Sequence, residues 1–231
     1  MSRNILRLAL LTHEEDISRV IALEQSSYPL DEAATESSIR FRQKNAHAFF
    51  WAAYLPHVQD QLVGFVNGTL LEGKHLDEES MHRHHPCGSV LCIHSVVIDP
   101  AFRRQGLATE MLKRYVAIIC DAQPHVQRIL LLAKAYFVEF YVKAGFSVTK
   151  RSSVVHGKDP WIELQFDCVN ARRLRQESGD IRATNVVTGP AKPQRERAVA
   201  SDIVRASKRE RWESEEKAVE CDRMHQVAPT V

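Results

Sequence analysis

The stretch from Val90 to Leu112, VLCIHSVVIDPAFRRQGLATEML, constrains this chain more than any other. From Val90 to Ile98 it is almost continuously apolar, the pattern of a strand covered on both faces. Asp99-Pro100 then breaks the strand. Arg103-Arg104-Gln105-Gly106-Leu107-Ala108 leads into an amphipathic helix predicted from Gln105 to about Cys120. A strand that turns through glycine into a helix leaves the first backbone N–H groups unbonded, and the helix dipole adds partial positive charge at that end. Such a helix start is a ready anion site. Gly106 allows a phosphate to come close, Ala108 keeps the wall small, and Arg103 and Arg104 add charge, so the residues describe a pyrophosphate cradle. An ordinary helix start flanked by surface arginines is the alternative reading.

The elements around it alternate. Ile5–Leu10 reads as a strand, and Thr12 with Glu15 reads as a capping box opening a helix that runs to Gln25. Ser27-Tyr28-Pro29-Leu30-Asp31 ends that helix, and a second helix is predicted from Asp31 to Lys44. Ala48–Leu55 and Leu62–Leu71 read as strands paired around PHVQDQ, and Leu76–His84 as a short helix. Arg128–Ala133 is a further strand, Phe137–Lys143 a helix, and strands near 146–150 and 161–167 follow. The implied class is α/β, a mixed central sheet flanked by helices on both faces.

Composition divides the chain near residue 168. All nine Phe and all five Tyr precede it, and Trp212 is the one aromatic after it. Residues 1–168 are therefore expected to form the folded domain. Residues 169–231 are expected to form a charged C-terminal tail, disordered or partly helical, because so few large apolar side chains cannot offset the entropy of ordering. Residues 195–223 carry a thin apolar stripe that could make a polar helix. The formal net charge of +2 provides no global field for nucleic acid or an anionic membrane, and no apolar run reaches the roughly 18 residues of a membrane span. Five scattered cysteines without a CxxC fit reduced thiols, and the N-terminus lacks the cleavage pattern of a signal peptide. The expectation is a cytoplasmic protein that binds neither nucleic acid nor membrane.

Arg103-x-x-Gly106-x-Ala108 after an apolar strand resembles the acetyl-CoA signature of the GNAT superfamily, and Phe140-Tyr141-Val142-Lys143-Ala144-Gly145-Phe146 resembles its second hallmark, one strand further on. Ser27-Tyr28-Pro29-Leu30-Asp31-Glu32-Ala33-Ala34, Leu76-Asp77-Glu78-Glu79-Ser80-Met81 and the His94 strand narrow the likeness. They resemble the arylalkylamine (serotonin) N-acetyltransferases and their polyamine-acetylating relatives, over roughly residues 4–168. The resemblance implies a GNAT fold and direct transfer of acetyl from acetyl-CoA, in a ternary complex, to the primary amine of a small arylalkylamine or polyamine. It implies no metal, and a monomer.

A primary alkylamine with a pKa near 10 is mostly protonated at neutral pH, so the reaction needs a base, and the departing sulfur can take a proton from an acid. His94 is the base the resemblance implies and Tyr141 the acid. Cys92 stands where the family usually has the first of two histidines. It is a third catalytic candidate, and also readable as a small core residue. Val96, Val97 and Ile98 would lend backbone groups to the pantetheine arm, and Arg103, Arg104, Gln105, Gly106, Leu107, Ala108 and Thr109 would hold the pyrophosphate. Pro29, Leu132 and Trp161 would line the amine pocket, with ordinary core as the competing reading. His82, His84 and His85 form a short cluster read as surface loop rather than a metal site. Ser178 and Ser207 have basic residues upstream and are candidate phosphorylation sites. Two other functions compete. One is a protein or peptide N-acetyltransferase. The other is a non-catalytic acetyl-CoA-binding module whose tail recruits a partner.

Overall fold

The computed structural model describes residues 6–77, 79–154 and 160–183, with side chains as far as Glu177. Strand β1 (Arg7–Leu10) leads to helices α1 (Glu14–Gln25) and α2 (Glu36–Asn45), then to β2 (Trp51–Leu55), β3 (Gln61–Leu71) and β4 (Val90–Ile98). Helix α3 (Leu107–Ala122), β5 (Arg128–Lys134), α4 (Val138–Lys143), β6 (Ser147–Arg151), β7 (Trp161–Asp167) and α5 (Cys168–Ala183) follow. The seven strands form one sheet in the order β1-β2-β3-β4-β5-β7-β6. All neighbours are antiparallel except β4 and β5. Periodicity explains the layers. Ile17, Val20 and Leu23 of α1 and Ile39 of α2 bury one stripe against Phe50, Phe65 and Val97 on one face of the sheet. Met111, Tyr115 and Ile119 of α3 and Val138 of α4 bury theirs against Leu91, Ile93 and Leu131 on the other. The mixed sheet with helices on both faces is the architecture expected from the sequence.

Several boundaries differ, each for a local reason. Helix α1 starts at Glu14, with His13 as its N-cap and no side-chain cap, so Thr12 and Glu15 form no capping box; Glu14, Glu15 and Asp16 instead meet the helix dipole. Helix α2 begins at Glu36, not Asp31. Thr35 caps it by accepting from the Ser38 N–H, while the Glu32 and Ala33 N–H groups fold back onto the Pro29 carbonyl at 2.9 and 2.8 Å. The short helix predicted over Leu76–His84 shrinks to a 3-10 turn, Glu79–Met81. There Asp77 and Ser80 exchange hydrogen bonds at 2.8 and 2.9 Å, which competes with helix formation.

The charged segment after Cys168 opens as helix α5. Arg172 explains why it docks: its guanidinium donates to the carbonyls of Cys120, Gln123 and Val126, the orphan acceptors at and beyond the end of α3, at 2.7, 3.1 and 2.7 Å. The folded body thus continues past residue 168, so a truncation there would strip a docked helix. Ser207 and the helix considered over 195–223 lie outside the described residues, as does the Ser178 side chain.

Two irregularities shape the middle of the sheet. Gly68 pairs with Ile93 and Asn67 with Ser95, so His94 has no partner on β3 and forms a bulge. Gly68 is needed beside it: a Cβ there would lie 2.6 Å from the Cys92 carbonyl oxygen. On the other side, β5 pairs with β4 only from Val90↔Arg128 to Ile93↔Leu131, and the two strands part beyond that point.

Arg172→Ala should lower the free energy of unfolding by about 2 kcal/mol, because it removes charge-assisted bonds to three carbonyls. Urea unfolding of the full chain measures this.

Candidate active site

The bulge decides which way the β4 side chains point. Cys92 and His94 face the α1–α2 side by normal alternation, and the extra residue resets the count so that Ser95 faces that side too. There the Ser95 hydroxyl donates to Glu24 of α1 at 3.2 Å. Val96 and Ile98 turn toward the core under α3. The Asp99 N–H donates to the Val63 carbonyl, which fixes the ladder phase. Ser95 and Val97 spend their backbone groups on β3, and Val96 and Ile98 aim theirs into the space that β5 has left.

That opening is partly furnished. The Tyr28 hydroxyl accepts from the Val96 N–H at 3.4 Å. The Arg103 guanidinium donates to the Ile98 carbonyl at 3.0 Å and to Ser27 at 2.9 Å. Asp99 caps the following turn through the Ala101 N–H at 2.9 Å and is paired with Arg19 of α1. Helix α1 and the loop after it therefore follow β4 side chain by side chain. Arg103, expected at a pyrophosphate, spends its side chain on this junction.

His94 is half-buried. Its Nε2 lies 2.7 Å from Thr69 Oγ1 and its Nδ1 3.7 Å from Cys92 Sγ. Burial, then the charges of Arg42 and His82, holds its pKa well below the ordinary histidine range. The imidazole is therefore neutral at neutral pH. Burial pushes the Cys92 thiol up to about 12, so it is a protonated, fully enclosed group rather than a thiolate. Tyr141 stands on α4 with its ring edge-on to Phe140 and Phe146, at 4.8 and 6.0 Å. Burial raises its phenol, leaving it a proton donor. Tyr28 is raised well above the ordinary phenol range, first by burial and then by Tyr141.

The start of α3 bears on the cradle. Arg104 and Gly106 adopt left-handed φ values of 64° and 80°, and Gly106 is the N-cap, with no side chain closing the helix end. A Cβ at Gly106 would meet nothing within 4 Å, so the left-handed backbone, not crowding, calls for glycine. An open cap on a helix of 16 residues fits an anionic cofactor group.

The residues expected at the amine are distributed differently. Leu132 is the first β5 residue beyond the last β4 pair and packs in the Cys92 cluster. Trp161 has one face covered by Lys134 Nζ, 4.0 Å from the ring centre, and Lys134 is paired with Glu32 at 2.8 Å, both side chains buried. Pro29 is exposed, its carbonyl closing the turn at Glu32 and Ala33. Tyr28, Thr69, Glu24 and Arg42 are site neighbours that the sequence reading did not place. Their signal was weak, because each sits on a different element and meets the others only through the bulge. His84 is turned inward, accepting from the Leu70 N–H at 3.1 Å.

A seven-stranded mixed sheet whose central parallel pair parts beside an open helix start is the GNAT fold, and the chain belongs to the acetyltransferase (GNAT) family, whose model matches residues 17–146. Similar proteins include the serotonin N-acetyltransferase of Mesocricetus auratus, 32% identical over 121 residues that cover 52% of this chain and 58% of that protein. The serotonin N-acetyltransferase of Macaca mulatta is 31% identical over 51% of this chain and 57% of its own. The chain thus spans somewhat over half the length of the curated relatives it matches. The loading GNATL domain of CurA from Lyngbya majuscula has the same fold, with a TM-score of 0.62 over 72% of this chain and 100% of that one at 16% identity. So does aminoglycoside acetyltransferase AAC(6')-Ib in complex with coenzyme A, with a TM-score of 0.53 over 74% and 99% at 18% identity.

A histidine with a depressed pKa costs stability in acid. Below about pH 6.5 the unfolded chain takes up a proton at this position that the folded chain refuses, so folding weakens as pH falls. His94→Gln, which keeps a polar partner for Thr69, should lose less stability than the wild type between about pH 7 and about pH 5. Equal losses in urea titrations would show that His94 titrates normally.

Proposed function

We propose that this protein transfers an acetyl group from acetyl-CoA to the primary amine of a small molecule. Family membership and the open start of α3 support the cofactor. The observation that carries the reading is a neutral imidazole on the β4 bulge, one residue beyond the last β4–β5 pair, with the protonated Tyr28 phenol on the Val96 N–H two residues further on. Acetyl-CoA supplies the activated acetyl as a thioester. The Val96 and Ile98 backbone groups would bind its pantetheine arm, and the N–H groups of Leu107, Ala108 and Thr109 its pyrophosphate. Val97 would contribute only apolar packing, and Arg103 would act by holding the β4 end in place.

His94 is the base. An imidazole that is unprotonated at neutral pH can accept a proton from the amine, whose N–H becomes more acidic as its nitrogen forms the new bond. Thr69 orients the ring and gives the proton a route toward solvent. Tyr141 donates its phenolic proton to the departing sulfur, and Tyr28 supports that phenol. Cys92, protonated and enclosed, packs against His94 and fills the space that a larger side chain would take. The names of the curated relatives favour an arylalkylamine as acceptor.

Release of CoA thiol from acetyl-CoA tests this with tryptamine, serotonin, phenethylamine, spermine and a histone-tail peptide. Turnover with a small amine should fall about 100-fold or more in His94→Ala and in Tyr141→Phe. No turnover with any amine, despite acetyl-CoA binding, would leave a binding module instead. Turnover with the peptide alone would make it a protein acetyltransferase.

A further inference from the structure

On the same sheet face as His94, a cavity of about 200 Å³ is lined by Ser37, Ser38, Phe41 and Arg42 of α2, Thr69 of β3, and Met81 and His82. Thr69 is also the hydroxyl that holds His94 at 2.7 Å, so the cavity begins one side chain from the base. Its walls divide by chemistry. Phe41 and Met81 offer apolar surface. Ser37 and Ser38 stand in the first turn of α2, where the helix dipole is positive.

Arg42 is the unusual member. It is 9% exposed, and its guanidinium makes one long hydrogen bond, 3.4 Å to Asn67 Oδ1. Among the described residues no carboxylate lies within ion-pair distance of it. The strongest opposing influence is Glu24, whose Oε1 is committed to the Ala34 N–H at 2.9 Å and to Ser95, while its buried Oε2 has no hydrogen-bond partner and lies beyond ion-pair distance of Arg42. Buried arginines normally face a partner, because desolvating the charge is costly unless donors are matched. Arg42 directs a planar, multidonor group toward a cavity beside the reacting centre with few protein acceptors for it. That geometry suits an anionic oxygen group held by paired N–H donors. A second ammonium entering the same cavity would meet Arg42 head-on.

We infer that the cavity is an anion-binding subsite of the acceptor, so that the preferred amine carries a carboxylate or phosphate at its far end, with Arg42 as the specificity-determining residue. Phe41 and Met81 accept the body of such an amine, and Ser37 and Ser38, whose hydroxyls lie 2.8 and 2.9 Å from Thr35 Oγ1, can turn a hydroxyl from that cap to its charged end. The inference rests on the amine-acetylation reading and narrows it. It turns the choice away from polyamines.

The test is calorimetric binding to the full chain loaded with coenzyme A, using four probes: δ-aminovalerate, phosphoethanolamine, pentylamine and cadaverine. The anionic amines should bind at least about ten-fold tighter than pentylamine or cadaverine. Whichever of the two anions binds tighter identifies the group. In Arg42→Gln this margin should disappear, and acetyl-CoA binding reports whether the variant is folded. If Arg42→Gln does not fold, the wild-type ranking and the Ser38→Ala variant, which should narrow the margin, decide the matter. Equal or tighter binding of pentylamine or cadaverine, or a margin that survives in folded Arg42→Gln, would overturn the inference. Acetylation of tryptamine with no anion preference would sink this subsite and leave the acetyltransferase reading standing. An anion preference without turnover of any amine would do the reverse.

Discussion

Everything at this site depends on one residue that β3 does not pair. Inserting His94 as a bulge breaks the alternation of β4, so Cys92, His94 and Ser95 share a face, and the strand leans away from β5 after Ile93↔Leu131. A parallel pair that stops after four residues leaves ladder groups unmet, and such groups must find partners. The protein answers from α1 and the loop after it. Glu24, Tyr28 and Arg19 reach Ser95, Val96 and Asp99, and Arg103 reaches back from the turn to close the Ile98 carbonyl. The same contacts that stabilise the irregular strand bring an ionisable helix face and a phenol to it. Gly68 allows the arrangement, because any side chain there would collide with the β4 backbone.

The electrostatics follow from that packing. Burial favours the uncharged form of each group around the opening: His94 neutral, Cys92 and both phenols protonated, Glu24 raised and Arg42 lowered. The neutral imidazole and the protonated phenols are thus consequences chiefly of low polarity. Two orphan atoms, Glu24 Oε2 and Asn67 Nδ2, lie in the same polar seam. Buried polar groups left without partners are uncommon in native proteins and concentrate where a structure serves something other than stability. On the far side of the opening the Lys134–Glu32 pair, with Trp161 beneath it, fastens the loop after α1 to the end of β5. The loop is thus anchored at both strands that it bridges.

Much of this was legible in the sequence, and for identifiable reasons. The apolar runs of β3 and β4 and the stripe of α3 report burial directly, so the layers and most strand limits could be read. Gly106 was readable because a left-handed helix cap strongly favours glycine. Capping was harder. Thr12 and Glu15 match a capping box in spacing, but the helix starts one residue late, while Thr35, less conspicuous in the sequence, does cap α2. Helix α5 was hidden because its docking rests on Arg172, a charged residue whose role depends on carbonyls at the end of α3. Arg42, Thr69 and Tyr28 were hidden for a related reason. A bulge carries no sequence signature of its own, and it is the bulge that brings them to His94. Trp161 was read as lining the amine pocket, yet its ring already carries an ammonium from the neighbouring strand, a contact that depends on the β5–β7 pairing.

The central claim is that the parting of β4 from β5 seats acetyl-CoA against His94. Amide hydrogen exchange with and without acetyl-CoA tests it most directly. The account predicts slowed exchange at Val96 and Ile98 and at Leu107, Ala108 and Thr109, because these N–H groups face the opening or the uncapped start of α3. Binding that leaves those five amides unchanged, or protects α5 and β6 instead, would contradict it.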